Sequence, residues 1–158
     1  MVPQLRTHKG MKFIGVEAKT SSQLESNKKT AQIPGLHRKF LKEGLEEKIP
    51  NRIDSDLYFA VYTNYESDQT GTYSFILSAE VSNSDEVPDG MVAIDIPTAQ
   101  YLVFTVKGSL PHALTRTWKE IWNYFANNKV YQRAYTADFE VYDKSFPDLV
   151  EVYIAIQK

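Results

Sequence analysis

Residues 135–157 read YTADFEVYDKSFPDLVEVYIAIQ, and this stretch decides the fold class. Two runs rich in β-branched and aromatic residues, Tyr135–Tyr142 and Leu149–Gln157, flank the turn-forming segment Asp143-Lys-Ser-Phe-Pro-Asp148. That composition predicts a pair of adjacent strands. Upstream, Leu114, Trp118, Ile121, Trp122 and Phe125 recur at i, i+4, i+7, i+8 and i+11, which is one face of a helix. Pro111 suits its first turn and Asn127-Asn128 ends it. Before that helix, Ala99–Lys107 (AQYLVFTVK) reads as a strand closed by Gly108. The order is strand, helix, strand, strand.

The first half of the chain repeats that order. Met11–Lys19 (MKFIGVEAK) is a strand, and the polar residues 20–30 are a loop. Ile33, Leu36, His37, Phe40, Leu41 and Leu45 mark a helix, opened by Pro34 and stopped by Pro50-Asn51 after Ile49. Leu57–Thr63 and Thr72–Val81 are strands joined by the turn chemistry of Glu66–Gly71. Phe59-Ala-Val-Tyr62 even lies against Phe139-Glu-Val-Tyr142. Met91–Ile96 is a short strand broken by Pro97. The expected fold is α+β: a duplicated β-α-β-β unit with a pseudo-twofold axis, one antiparallel sheet, two main helices and a central cleft. Residues 1–158 read as a single domain, with residues 1–10 a flexible N-terminal extension.

Composition narrows the function. The 158 residues carry 18 Lys+Arg against 20 Asp+Glu, a net charge of −2. A basic nucleic-acid-binding surface is therefore not expected. The absence of Cys excludes disulfides, thiol chemistry and Cys-ligated metals. His8, His37 and His112 share no ligand spacing, so no metal site is expected. Phosphate-cradling glycine motifs and a GxSxG elbow are absent, and no cofactor is expected. No apolar run could cross a membrane or serve as a signal peptide, so the expected location is the cytoplasm. The 10 Tyr, 8 Phe and 2 Trp make 13% of the chain. Tyrosine combines an apolar body with a polar tip, which suits a half-wet binding cavity.

Candidate site residues follow from strand alternation. Val150, Val152, Ile154 and Ile156 form one face; Glu151, Tyr153 and Ala155 form the other. On the preceding strand Phe139 and Val141 oppose Asp138, Glu140 and Tyr142. A register that brings Glu140 beside Glu151, with Tyr142 and Tyr153 flanking, would make a carboxylate pair bracketed by phenols. Such a group would favour a lipophilic cation. Alternation alone favours reading the two glutamates as the wet face of a half-exposed sheet. Trp118 and Trp122 have core spacing, although the cleft edge of the helix could present one of them. Tyr58, Tyr62 and Tyr101 complete the candidate walls. Glu17 and Glu80 read as surface charges.

The run Ile96-Pro-Thr-Ala-Gln-Tyr-Leu-Val-Phe104 with Lys107-Gly108, the helix Thr117-Trp-Lys-Glu-Ile-Trp122, the strand Asp138-Phe-Glu-Val-Tyr142 and the closing Glu151–Ile156 resemble the GyrI-like, or AraC-type effector-binding, family. The resemblance runs from about Met11 to the C-terminus. It implies the duplicated fold. It also implies that Glu140 is a buried acid set against a ligand's positive charge, with weaker support for Glu151. Many relatives carry a helix-turn-helix region; this sequence has no room for one, so direct nucleic-acid binding is not expected.

Three functions follow as expectations. The first is a stand-alone protein that binds hydrophobic, preferably cationic, organic molecules for transcriptional regulation or drug response. The second is a hydrolase of small reactive compounds using Glu140. The third is an interaction module acting on a partner such as gyrase or a separate regulator. An exposed strand edge could also pair with a second copy to form a homodimer.

Overall fold

A computed structural model describes residues 2–128 and 130–157. In chain order the elements are β1 (Gln4–His8), β2 (Met11–Ser21), α1 (Ser22–Glu25), α2 (Ile33–Lys42), a 3-10 turn (Leu45–Lys48), β3 (Leu57–Thr63), β4 (Thr72–Val81), β5 (Val92–Ile96), β6 (Ala99–Val106), α3 (His112–Asn127), β7 (Ala137–Asp143) and β8 (Val150–Ala155). The fold is α+β. All eight strands join one antiparallel sheet in the order β1-β6-β8-β7-β3-β4-β2-β5.

That order is a palindrome of the two repeats. The unit β2-α2-β3-β4 maps onto β6-α3-β7-β8, and the pair β3·β7 lies at the centre. The strand preceding each unit is exchanged: β1 pairs with β6, and β5 pairs with β2. Residues 4–8 are therefore a sheet strand and not a free extension. β1 supplies partners to the backbone groups on the outer edge of β6, which would otherwise be open.

The exchange forces curvature. β1 and β2 stand six places apart in the sheet yet only Lys9 and Gly10 link them. Six flat strand spacings would be roughly 29 Å, whereas three Cα steps reach about 11 Å. The sheet curls until the β1–β2 and β5–β6 links meet, with the Gly10 N–H donating to Thr98 Oγ1 at 3.1 Å. At Gly15 the approach of β4 is so close that a Cβ would sit 2.0 Å from the Leu77 carbonyl oxygen.

Both faces of the curled sheet are dry. Its inner face packs strand against strand through Phe13, Phe59, Val61, Ile76, Tyr101, Phe139 and Tyr153. The outer face carries Ile14, Ala60, Phe75, Leu77, Phe104 and Val152, covered by Phe40 of α2 and by Ala113 and Ile121 of α3. A half-wet sheet is thus replaced by two cores, and Ser74–Val81 is buried at nearly every position.

Two local expectations are corrected. The first helix ends at Lys42, because Gly44 adopts a left-handed φ of 61° and starts a separate 3-10 turn. Within the expected 20–30 loop, β2 runs on to Ser21, and the Ser21 hydroxyl accepts from the Leu24 N–H to cap α1. Among the described residues no helix is long and apolar enough to cross a membrane.

Candidate functional site

The central pair β3·β7 makes the floor of the site. Its register places Ala60 opposite Glu140, Tyr58 opposite Tyr142 and Tyr62 opposite Asp138. Alternation therefore sends Tyr58, Tyr62, Asp138, Glu140 and Tyr142 to the helix-covered face. Ala60 on one side and Val152 on the other give Glu140 small or apolar neighbours across the ladder. Tyr58 and Tyr142 stack with centroids 4.8 Å apart.

The first turns of α2 and α3 stand over this floor and leave two adjoining cavities. The larger, about 690 Å³, is lined by Pro34 and His37 of α2, Leu110 and Leu114 around the start of α3, and Tyr58, Tyr62, Glu140 and Tyr142 below. The smaller, about 430 Å³, is lined by Tyr62, Tyr65, Tyr73, Trp118, Trp122 and Arg133. Ile33, Pro34, Tyr62, Leu114 and Thr115 border both.

Glu140 lies where the aromatic walls of the two cavities converge and is 1% exposed. Its Oε2 accepts from the Tyr62 hydroxyl at 2.7 Å and from Trp118 Nε1–H at 2.7 Å. Its Oε1 accepts from the Tyr142 hydroxyl at 2.5 Å. All three donors are neutral, and no ion pair to Glu140 exists among the described residues. Burial pushes its carboxyl above the usual carboxylate range, and the three hydrogen bonds oppose that rise. The Tyr62 and Tyr142 hydroxyls are held well above the ordinary phenol value by burial and by the nearby carboxylate, so they remain donors.

The other buried acids already have partners. Asp138 accepts from Arg133 Nη2 at 2.7 Å, from the Tyr65 hydroxyl at 2.6 Å and from the Ala155 N–H at 2.8 Å. Glu46 is held by Lys144 and lies 3.7 Å from Arg52. Glu25, only half-buried in the wall of the smaller cavity, also lacks a cation among the described residues but accepts from the Thr20 hydroxyl and from the N–H groups of Gln32 and Ile33 at the start of α2. Glu140 alone among these is a buried carboxylate without a cation.

Of the sequence-derived candidates, Glu140, Tyr142, Tyr58, Tyr62, Trp118 and Trp122 come together here. Glu151, Tyr153 and Tyr101 do not. The β7·β8 register pairs Val141 with Glu151 and Glu140 with Val152. That is one residue off the expected alignment, and a slip of one residue exchanges the faces. Glu151 instead meets Arg6 of β1 at 3.3 Å. Tyr153 stacks on Phe139 with centroids 4.5 Å apart and accepts from Arg6 Nη1 at 2.9 Å. Tyr101 packs edge-on against both of those rings within the inner core. The expected carboxylate pair therefore does not form.

The sequence reading passed over Tyr65, Tyr73, His37 and Arg133. Tyr73 shares parity with Phe75 on β4, a signal that alternation could have used. His37 sits on the cavity side of α2, with its ring 5.6 Å from that of Tyr142. Arg133 had no such signal: it lies in an irregular segment, and the turn that returns Asp138 to it passes through Tyr135 at φ 53°.

A protein-family model described as an integron-associated effector-binding protein, Cass2, matches residues 4–156. YobU of Bacillus subtilis, a protein named for transcriptional regulation, is 32% identical over 96% of this chain and 96% of its own. The integron cassette protein VCH_CASS2 of Vibrio cholerae has a solved structure that is 31% identical, with a TM-score of 0.82 over 99% of this chain and 96% of that one. The structure of SAV2435 bound to tetraphenylphosphonium is 19% identical, with a TM-score of 0.77 over 99% and 94% of the two chains, and it shares the fold. With an exchanged-strand duplication, a paired aromatic cavity and a family match across nearly its whole length, this chain belongs to the integron-associated effector-binding proteins, a family related to transcriptional regulators.

Proposed function

We propose that the protein binds lipophilic organic cations in the paired cavity, with Glu140 as the counter-charge, and that binding is its output and not a step in turnover. The observation that carries this reading is the environment of Glu140: buried, held by three neutral donors and lacking a cation among the described residues. An uncompensated buried carboxylate is costly. A poorly hydrated cation removes that cost without needing directional hydrogen bonds, and aromatic faces attract it further. Tyr58, Tyr62, Tyr142 and Trp118 supply those faces around the carboxylate. The tetraphenylphosphonium held by SAV2435, a protein of the same fold, is a molecule of this kind.

The names of the relatives support a role in a regulatory response, with the bound molecule as the effector. The test is a titration with tetraphenylphosphonium beside the neutral triphenylphosphine, read by Trp118 and Trp122 fluorescence. Glu140→Gln should lower the cation affinity by at least about thirtyfold, the loss of a buried charge partner being roughly 2 kcal/mol or more. Affinity for the neutral compound should change by less than about threefold, the scale of a side chain that makes no charge pair. Equal losses for the two compounds would overturn the charge reading.

A further inference from the structure

We propose that the smaller cavity is a second lobe of the site, that it takes an aromatic group bearing an uncharged oxygen acceptor such as an ester or amide carbonyl, and that Arg133 is the donor that recognises it. This rests on the reading of Glu140 as counter-charge and adds a second point of recognition to it.

Arg133 lines the smaller cavity and is 5% exposed. Among the described residues only its Nη2 is engaged, with Asp138 at 2.7 Å and the Tyr65 hydroxyl at 3.5 Å. Its Nε is buried and has no hydrogen-bond partner among the described residues. Buried donors are rarely left this way. The Nε itself is sealed, but the residue lines the cavity and its Nη1 is likewise unengaged among the described residues, so the half-used guanidinium points to an acceptor supplied from outside. The guanidinium has no freedom to turn elsewhere. Its central carbon lies 4.4 Å from the Tyr135 ring centroid, 5.8 Å from that of Tyr65 and 6.0 Å from that of Trp118.

The charge balance selects the acceptor. Asp138 already neutralises Arg133 at 2.7 Å, so an anionic ligand group would bring surplus negative charge into a dry site. A neutral carbonyl satisfies the N–H without that cost. Trp118 connects the two points of recognition: its ring faces Arg133, and its Nε1–H donates to Glu140. An aromatic cation lying on Trp118 can place its positive centre toward Glu140 and a carbonyl substituent toward Arg133.

Two dyes test this directly: tetramethylrosamine, and tetramethylrhodamine methyl ester, the same cation with an added ester. The wild type should bind the ester about tenfold more tightly, the usual increment for a hydrogen bond to a charged group. The double variant Arg133→Met/Asp138→Asn leaves no unpaired charge and should bind both dyes equally. Arg133→Lys keeps a cation for Asp138 but lacks the guanidinium fork with its free donor, and it should also lose the ester preference, which keeps the test decisive if the double variant fails to fold. Equal wild-type affinities, or a preference that survives both variants, would overturn the assignment. Glu140→Gln should weaken both dyes alike and leave their ratio intact. If it weakens neither while the ester preference holds, the counter-charge reading fails and Arg133 stands. If the wild type binds neither dye, both fall.

Discussion

Asp138 and Glu140 stand two residues apart on β7, face the same way, and are respectively 0% and 1% exposed. Each is held by three hydrogen bonds. They differ in one respect: Asp138 has Arg133, and Glu140 has only phenols and an indole. A paired buried carboxylate holds its own structure together. An unpaired one is stored electrostatic cost that an incoming cation relieves. The contrast separates, on a single strand, an acid that carries its own cation from the acid we propose for binding.

The sharpest way to break the comparison is stability. Arg133→Met should cost about 3–5 kcal/mol, because it strands Asp138 as a buried charge. Glu140→Gln should cost nothing comparable. The Glu140 carboxyl is raised in the folded chain, so its contribution favours folding below the ordinary carboxylate range and is lost as pH rises through its shifted value. At neutral pH the glutamine variant should therefore match or exceed the wild type in urea denaturation. A mild effect of Arg133→Met would dissolve the distinction.

Ligand binding should carry the opposite pH dependence. A cation needs Glu140 ionised, so affinity should fall by up to about tenfold per pH unit as pH drops below the raised value, beginning above the usual carboxylate range. The neutral compound should show no such limb. A flat profile for the cation would separate binding from Glu140.

Trp118→Phe sharpens the comparison further. It removes one donor from Glu140, so the acid limb should move to higher pH and cation affinity should fall by about tenfold at most. Tyr65→Phe removes a donor from Asp138 instead and should leave the limb in place. Equal movement in both variants would show that the two acids titrate as one system. The smallest effect belongs to Glu151→Gln, whose pair with Arg6 is partly exposed. Stability should change by less than about 0.5 kcal/mol. A cation affinity altered more than threefold would return Glu151 to the site.

The repeat was legible because it is a matter of element order, and element order survives errors in register. Helix-face spacing placed α3, and strand composition placed β3, β4, β6, β7 and β8 within a few residues. What escaped was every feature that depends on elements distant in sequence. β1 reads as a tail because its five residues acquire a partner only when β6 arrives. Glu151 reads as a neighbour of Glu140 because the loop between β7 and β8 can close in either parity, and only the packed hairpin selects one. Tyr101 and Tyr153 read as cavity walls because a curled sheet with two dry faces has the same alternation as a sheet with one.

The sequence by itself determined the α+β class and the duplication, since local periodicity and residue type are written in adjacent residues. Glu140 is singled out by the resemblance of its strand to the family's motif and not by periodicity. The tertiary structure alone decided which buried acid kept a cation and which did not. Arg133 and Asp138 are close in sequence, but their pairing is completed by Tyr65 and by the backbone of Ala155. The site of Glu140 is built from β3, β7 and α3 together. Electrostatic energy depends on distance and burial, and both are fixed only when the sheet has curled and the helices have closed over it.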